Sequence, residues 1–274
     1  MSKPYNDLYI YYVKGWVRDR DAQNRFNHSF IGNWQEEEAS FLFFARPADD
    51  QVAGLVENEP GLELVDRYCM SYADWHGGEI LPFSTDRFYV APPWNDQKAP
   101  ADKLELSIDP GVVFGAGTHT TTRFCLEAVE VAFERGAPDS ALDLGTGTGL
   151  LGLAAAGLGC PKVLAVDSSF LAVSTARENI ERNRFGSRVL AVQADARSLV
   201  DCPADLLIAN IHFDVMRHLI SSPAFYEKKW FVLSGLLRSQ ARYVEEMFHY
   251  SPARIVQRWT EDGIWYTFLA TGGG

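Results

Sequence analysis

The residues best suited to chemistry lie in one short run, Leu142-Asp143-Leu144-Gly145-Thr146-Gly147-Thr148-Gly149, with Asp167 following. Glycines at a strand end let the backbone turn sharply and approach a ligand closely. The start of the next helix offers free N–H groups to an anionic group such as a carboxylate or phosphate. Asp167 closes the next strand, where a carboxylate can accept hydrogen bonds from two ribose hydroxyls. Two cofactors fit this description. One is S-adenosylmethionine, with its methionine carboxylate at the turn. The other is a dinucleotide, because Gly147, Gly149 and Gly152 also satisfy G-x-G-x-x-G and Asp167 stands at the fingerprint distance.

Two acids favour the first cofactor. Asp143 precedes the turn by two residues, where it can meet an amino group; dinucleotide turns usually carry an apolar residue there. Asp195, in Ala194-Asp195-Ala196, is placed to accept from an adenine amino group at a strand's carboxyl end. The plainer role for Asp195 is a helix N-cap. Gly145, Thr146, Gly147 and Ser168, next to Asp167, complete the set expected to line the cofactor.

These residues need strands and helices to hold them, and the pattern supplies both. Ser140–Leu144, Val163–Asp167, Val189–Val192 and Leu206–Asn210 are apolar, β-branched runs. Helical stretches over Leu150–Leu158 and Phe170–Asn183 separate them, the second with Ala172, Ala176 and Ile180 near one face. This alternation implies a doubly wound, Rossmann-like α/β sheet covered on both faces, mostly parallel with an antiparallel last strand.

The first part differs. Leu8–Val13, Ser40–Ala45 and Leu62–Val65 read as strands, and Asp49–Glu57 as a short helix. That makes a small α+β domain, expected over 1–73. A linker over 74–100 follows, in which the proline-rich Ala91–Pro100 reads as an extended connector. The α/β domain is expected over 101–274.

Composition narrows the classes. The 274 residues carry 36 acidic and 25 basic side chains, a net charge of −11. That argues against broad nucleic-acid binding, which needs clustered Lys and Arg on phosphates. It suits a cationic partner. Cys69, Cys125, Cys160 and Cys202 are scattered, without the spacing of a metal site or disulfide framework, so they are expected as reduced thiols and no metal is expected. Met1–Asp7 carries no apolar signal region and no run approaches the ~18 apolar residues of a membrane span, so a cytoplasmic location is expected. Thr271–Gly274 reads as a frayed end.

Upstream of the glycine turn stands Asp109-Pro110-Gly111-Val112-Val113-Phe114-Gly115-Ala116-Gly117-Thr118-His119-Thr120-Thr121-Thr122, a glycine-rich loop entering a helix. His119 is a donor, an acid–base group or a loop anchor. With Ala209-Asn210-Ile211, with Leu233-Ser234-Gly235-Leu236-Leu237 and Gln240, and with the helix Glu178–Asn183, this loop resembles the PrmA family. That is a family of bacterial methyltransferases modifying lysines and the N-terminal amine of large-subunit ribosomal protein eleven. The resemblance runs over residues 74 to 274 and is specific after Asp109. Ala116 and Thr120 replace the Thr and Pro usual in the loop, and His212-Phe213 replaces an aliphatic residue after Asn210-Ile211.

The resemblance implies that Thr122, Gly145, Asp167 and Asn210 bind S-adenosylmethionine and that Phe114 and His119 lie over it as a lid. It implies a ribosomal protein as partner, and no nucleic acid or membrane. Its first domain resembles a ferredoxin-like substrate-recognition domain; Arg18–Asn27 is too polar and short for that domain's long first helix. Methyl transfer to an amine needs a neutral nucleophile aimed at the methyl, a task expected of the Asn210 side chain and the Ile211 carbonyl. His212 is either a base or a spacer. Three other readings remain open. They are a nicotinamide dehydrogenase, a methyltransferase for another protein or a small amine, and a noncatalytic cofactor-binding protein.

Overall fold

A computed structural model describes residues 3–36 and 38–273. Met1 and Ser2 of the stretch read for a signal region, and Gly274 of the end read as frayed, lie outside them. The chain divides into two compact units, 1–80 with 169–171, and 81–168 with 172–274.

In the first unit, aromatic and β-branched runs form β1 (Asp7–Lys14), β2 (Phe30–Glu36), β3 (Ala39–Phe44) and β4 (Glu63–Ser71). They make an antiparallel sheet in the order β2-β3-β1-β4. Helix α1 (Asp19–Arg25) follows β1, α2 (Asp49–Asn58) follows β3, and the single turn α3 (Tyr72–Trp75) follows β4. This is the βαββαβ arrangement of ferredoxin-like domains. Alternate residues of β1 and β3, namely Tyr11, Val13, Leu42 and Phe44, pack with Val52 and Leu55 of α2. The Tyr11 hydroxyl fixes the start of α2, accepting from Ala48 N at 2.7 Å and donating to Asp49 Oδ2 at 3.2 Å. β2 went unread in the sequence because Gly32 and Asn33 are poor strand formers; pairing with β3 makes it a strand.

The second unit opens with β5 (Phe83–Ser84), β6 (Phe88–Ala91) and β7 (Leu104–Ser107), a small sheet in the order β5-β6-β7. Phe88, Val90 and Leu106 are buried in the core of this unit. The proline-rich stretch expected as a connector between domains therefore lies inside the second unit, between β6 and β7. The division between units falls earlier, at Ile80 and Leu81. Apolar residues between that division and the proline-rich stretch account for the difference, since Phe88 is buried in the core of the second unit and Phe83 packs against it.

The rest alternates: α4 (Thr120–Arg135), β8 (Ala141–Leu144), α5 (Leu150–Gly157), β9 (Val163–Asp167), α6 (Phe170–Arg182), β10 (Val189–Gln193), β11 (Leu206–Asn210), α7 (Phe213–Ser221), β12 (Trp230–Leu237), α8 (Arg238–His249), β13 (Arg254–Glu261) and β14 (Trp265–Thr271). The strand order is β10-β9-β8-β11-β12-β14-β13. The strands from β10 to β12 run parallel, and β14 pairs antiparallel with both β12 and β13. The expected doubly wound sheet with an antiparallel last strand is what forms.

Central strands are apolar throughout because both faces are covered. Ala141, Leu206, Ile208 and Val232 face one core, beside α4, α5 and α6. Leu142, Leu144, Leu207, Ala209 and Phe231 face the other, beside α7 and α8. The strand order reverses between β8 and β11, which opens a crevice at their carboxyl ends, the place where sheets of this kind bind ligands. Among the described residues no helix is long and apolar enough to cross a membrane.

Candidate active site

At the end of β8 the chain turns through Gly145 and Gly147, with φ of 71° and 53°, before α5 begins. A side chain would fail there twice over. The conformation is left-handed, and a Cβ at Gly145 would lie 2.1 Å from Ile211 Cγ2, one at Gly147 2.4 Å from the Phe114 carbonyl oxygen. The turn is thus pressed between the end of β11 and the loop before α4.

Asp143 holds the turn from behind. Its Oδ2 accepts from the Thr146 hydroxyl at 2.5 Å and from Gly152 N at 2.9 Å, while Oδ1 is buried without a partner. Burial pushes its carboxyl up to about 6, against the opposing effect of those two hydrogen bonds. Asp167, at the end of β9, accepts from Gly147 N at 3.0 Å, so the second acid is braced against the turn that precedes it. Ser168 beside it is exposed, and its carbonyl accepts from Gln193.

The loop before α4 is stitched to this turn. The Thr148 hydroxyl donates to the Gly115 carbonyl at 2.8 Å. Arg123 Nε donates to the Gly117 carbonyl at 2.9 Å, and the same guanidinium lies 4.7 Å above the Phe83 ring of β5. Phe114 is 56% exposed, with its ring 5.7 Å from His119. His119 caps α4: its side chain accepts from Thr121 N, and Nδ1 lies 2.8 Å from the Thr121 hydroxyl. The edge of the ring meets Trp265 of β14 at 5.1 Å. Burial lowers the His119 pKa, against the pull of Glu261. The next residue, Thr120, donates to Glu261.

Asn210 ends β11 beside these groups. Its Nδ2 donates to Thr121 Oγ1 at 3.3 Å. Across the strand register Asn210 faces Ser234, and the following Gly235 leaves a gap; a Cβ there would lie 3.1 Å from the Ile211 carbonyl oxygen and 3.2 Å from Asn210 Oδ1. Two acceptor oxygens therefore converge on one small space. Thr122 is 1% exposed and its hydroxyl has no partner.

Two candidates stand apart. Asp195 caps a short 3-10 helix (Ala196–Leu199), and both its oxygens hold Arg197, at 3.0 Å to Nε and 2.6 Å to Nη2. His212 is 80% exposed, 3.6 Å from Asp214, and makes no cap bond at the start of α7. Sequence reasoning gave no role to Thr121, Gly235, Trp265 or Asn179. Only Asn179 left a usable trace, a helical asparagine repeated four residues on at Asn183.

Comparison with known proteins adds to this geometry. Residues 75–271 match the model of the family described as ribosomal protein L11 methyltransferase (PrmA). A ribosomal protein L11 methyltransferase of Desulforamulus reducens is 35% identical over 182 residues, 66% of this chain and 58% of that protein. One of Desulfitobacterium hafniense is 38% identical over 161 residues, 58% of this chain and 50% of that protein. The chain thus spans a little over half the length of these curated relatives. The crystal structure of a ribosomal protein L11 methylase from Lactobacillus delbrueckii subsp. bulgaricus superposes with a TM-score of 0.61 at 26% identity, covering 71% of this chain and 100% of that one.

Proposed function

The chain belongs to the PrmA family of ribosomal protein L11 methyltransferases, and on that premise we propose that it transfers methyl groups from S-adenosylmethionine to amines of a protein, a large-subunit ribosomal protein, in the cytoplasm. The observation that carries this reading is the convergence of Asn210 Oδ1 and the Ile211 carbonyl on the space beside Gly235. Two acceptors without a donor suit the N–H groups of a neutral amine and leave its lone pair free to point along the line of attack.

The cofactor fits the wall opposite. The unpartnered Asp143 Oδ1 and Thr122 Oγ1 are buried polar atoms that need a partner, and they suit the methionine end. Asp167 is placed to accept from the ribose hydroxyls, Gly145, Thr146, Gly147 and Ser168 line the turn, Asp195 serves the adenine amino group, and Phe114 with His119 covers the site. S-adenosylmethionine supplies a methyl carbon already activated by its sulfonium. The protein's task is then positioning. A lysine ammonium that sheds water on entering this part-buried site is favoured as the neutral amine, its proton released to solvent. The first unit, with the substrate-recognition role expected for 1–73, brings the protein acceptor; the methyltransferase role expected for 101–274 falls to the second unit, which takes in 81–100 as well.

The test is transfer of isotopically labelled methyl from the cofactor into a ribosomal-protein fraction lacking this modification, followed by peptide mapping. Label on large-subunit ribosomal protein eleven, abolished in Asn210→Ala even at saturating cofactor, is the expected result. Tight cofactor binding with no label in that protein would leave the acceptor assignment wrong.

A further inference from the structure

Asn210 can guide an amine only if its amide oxygen, and not its NH2, faces the space beside Gly235. An amide group has no intrinsic preference between the two orientations, so a partner must choose. Among the described residues its NH2 donates to the Thr121 hydroxyl oxygen, and a hydroxyl can donate or accept. Had Thr121 donated to Asn210, the amide would turn round and present two N–H groups to the incoming amine, which would repel its hydrogens.

The choice is made one residue further back. Thr121 is 1% exposed, so water does not compete for its hydroxyl. The hydroxyl lies 2.8 Å from His119 Nδ1, and Thr121 N donates to the same nitrogen at 3.3 Å. A nitrogen that accepts the backbone N–H carries no proton of its own. The neutral ring then bears its proton on Nε2, the Thr121 O–H points to Nδ1, and the Thr121 oxygen is left to accept from Asn210.

We infer that His119 is a positioning residue for Asn210, acting through the Thr121 hydroxyl to turn the Asn210 amide oxygen toward the acceptor amine. The relay rests on the proposed amine methylation. It assigns His119 a task beyond capping α4 and covering the cofactor, and it makes Thr121 the connecting group. Protonation of His119 places a hydrogen on Nδ1, which expels the Thr121 N–H and O–H together and removes the orienting bond. Glu261 on β13 is the charged group facing the ring; Trp265 on β14 and Phe114 in the loop are its neutral neighbours.

The test compares Thr121→Val, Thr121→Ser, His119→Asn and wild type in acceptor methylation, cofactor titration and pH profile. Thr121→Val keeps shape and the His119 cap but breaks the relay. Its kcat/KM for the acceptor should fall roughly 10- to 100-fold, the equivalent of one lost buried hydrogen bond to a reacting group, with cofactor affinity unchanged. Thr121→Ser should restore most of that loss. His119→Asn replaces the ring with an acceptor that does not titrate, so the activity it keeps should lack the acid-side inflection of the ring and show only that of the acceptor amine. Unchanged acceptor kinetics in Thr121→Val, an equal loss of cofactor affinity there, or an acid-side profile in His119→Asn identical to that of wild type would each overturn the relay. Nitrogen NMR of the His119 ring separates this idea from the amine reading. A ring protonated on Nδ1 in the neutral enzyme refutes the relay, whereas an Nε2–H ring in an enzyme that methylates no amine refutes only the reading it rests on.

Discussion

Asn179 of α6 donates through Nδ2 to the carbonyl of Thr148, in the glycine turn, at 2.9 Å. The same NH2 donates to the Asp109 carbonyl at 2.8 Å, and its oxygen accepts from Asp109 N at 2.9 Å. One helix turn on, Asn183 repeats the pattern with both backbone groups of Ser107, at 2.9 and 2.8 Å. The spacing works because four residues along a helix rise about 6 Å, close to two residues along an extended chain at about 6.6 Å. Two carboxamides thus do for this edge of the backbone what a neighbouring strand does elsewhere. Asn179 also links the start of the loop before α4 to the glycine turn.

Replacing Asn179 with Leu should therefore cost about 2–4 kcal/mol, because it strands the buried Thr148 carbonyl and both part-buried backbone groups of Asp109. Urea unfolding measures this. Cofactor affinity should fall with it, since Thr148 loses its anchor. A loss below about 0.5 kcal/mol would mean that the loop re-pairs elsewhere.

Asp143 sets a pH dependence of stability. Its folded pKa, about 6, stands above the ordinary 3.8, because burial disfavours the charge. A raised pKa stabilises the fold relative to the charged state below pH 3.8, and that contribution is lost as pH rises through about 6. The gap corresponds to about 3 kcal/mol. Asp143→Asn keeps an oxygen for Thr146 and Gly152 and has no charge to bury. Its stability relative to wild type should therefore rise by about 2 kcal/mol between pH 4 and pH 7.5. Parallel stability–pH curves for the two proteins would show that Asp143 does not titrate in this window.

The Arg197 guanidinium holds the Asp195 carboxyl below its usual pKa, so this acid is charged at neutral pH and available as an acceptor. Asp195→Ala should weaken cofactor binding several-fold in calorimetry and leave the acceptor KM alone. Arg197→Ala should bind cofactor at least as well as wild type, because the carboxylate is released. Equal affinities in all three would reduce Asp195 to the cap of its 3-10 helix.

His212 is the weakest of the candidates. Its ring is 80% exposed and reaches only Asp214, at 3.6 Å. His212→Ala should leave kcat within about twofold at every pH, as surface changes commonly do. A lost titration in the kcat profile would instead make it the base.

The alternation of strands and helices was legible in the residues alone, because strand and helix preferences and turn chemistry act over a few neighbours. So was the run from Asp143 to Asp167, where a left-handed turn favours glycine. The same local logic found α2 from its opening acids and the apolar spacing of Val52 and Leu55. It missed β2, whose Gly32 and Asn33 become a strand only by pairing with β3, and it put a linker over 74–100 because prolines mark extended chain at 91–100, while the short apolar run at Phe88 gives no sign of the core it will reach. The site divides in the same way. Asp143, Gly145, Asp167 and Asn210 are marked by their own motifs. Thr121, Gly235 and Asn179 are not, for their roles come from partners far along the chain: Thr121 meets Asn210 across 89 residues, and Asn179 meets Asp109 across 70. Backbone preference is a property of neighbouring residues. A hydrogen-bond partner is settled only when folding closes loops of that length and places one donor opposite one acceptor.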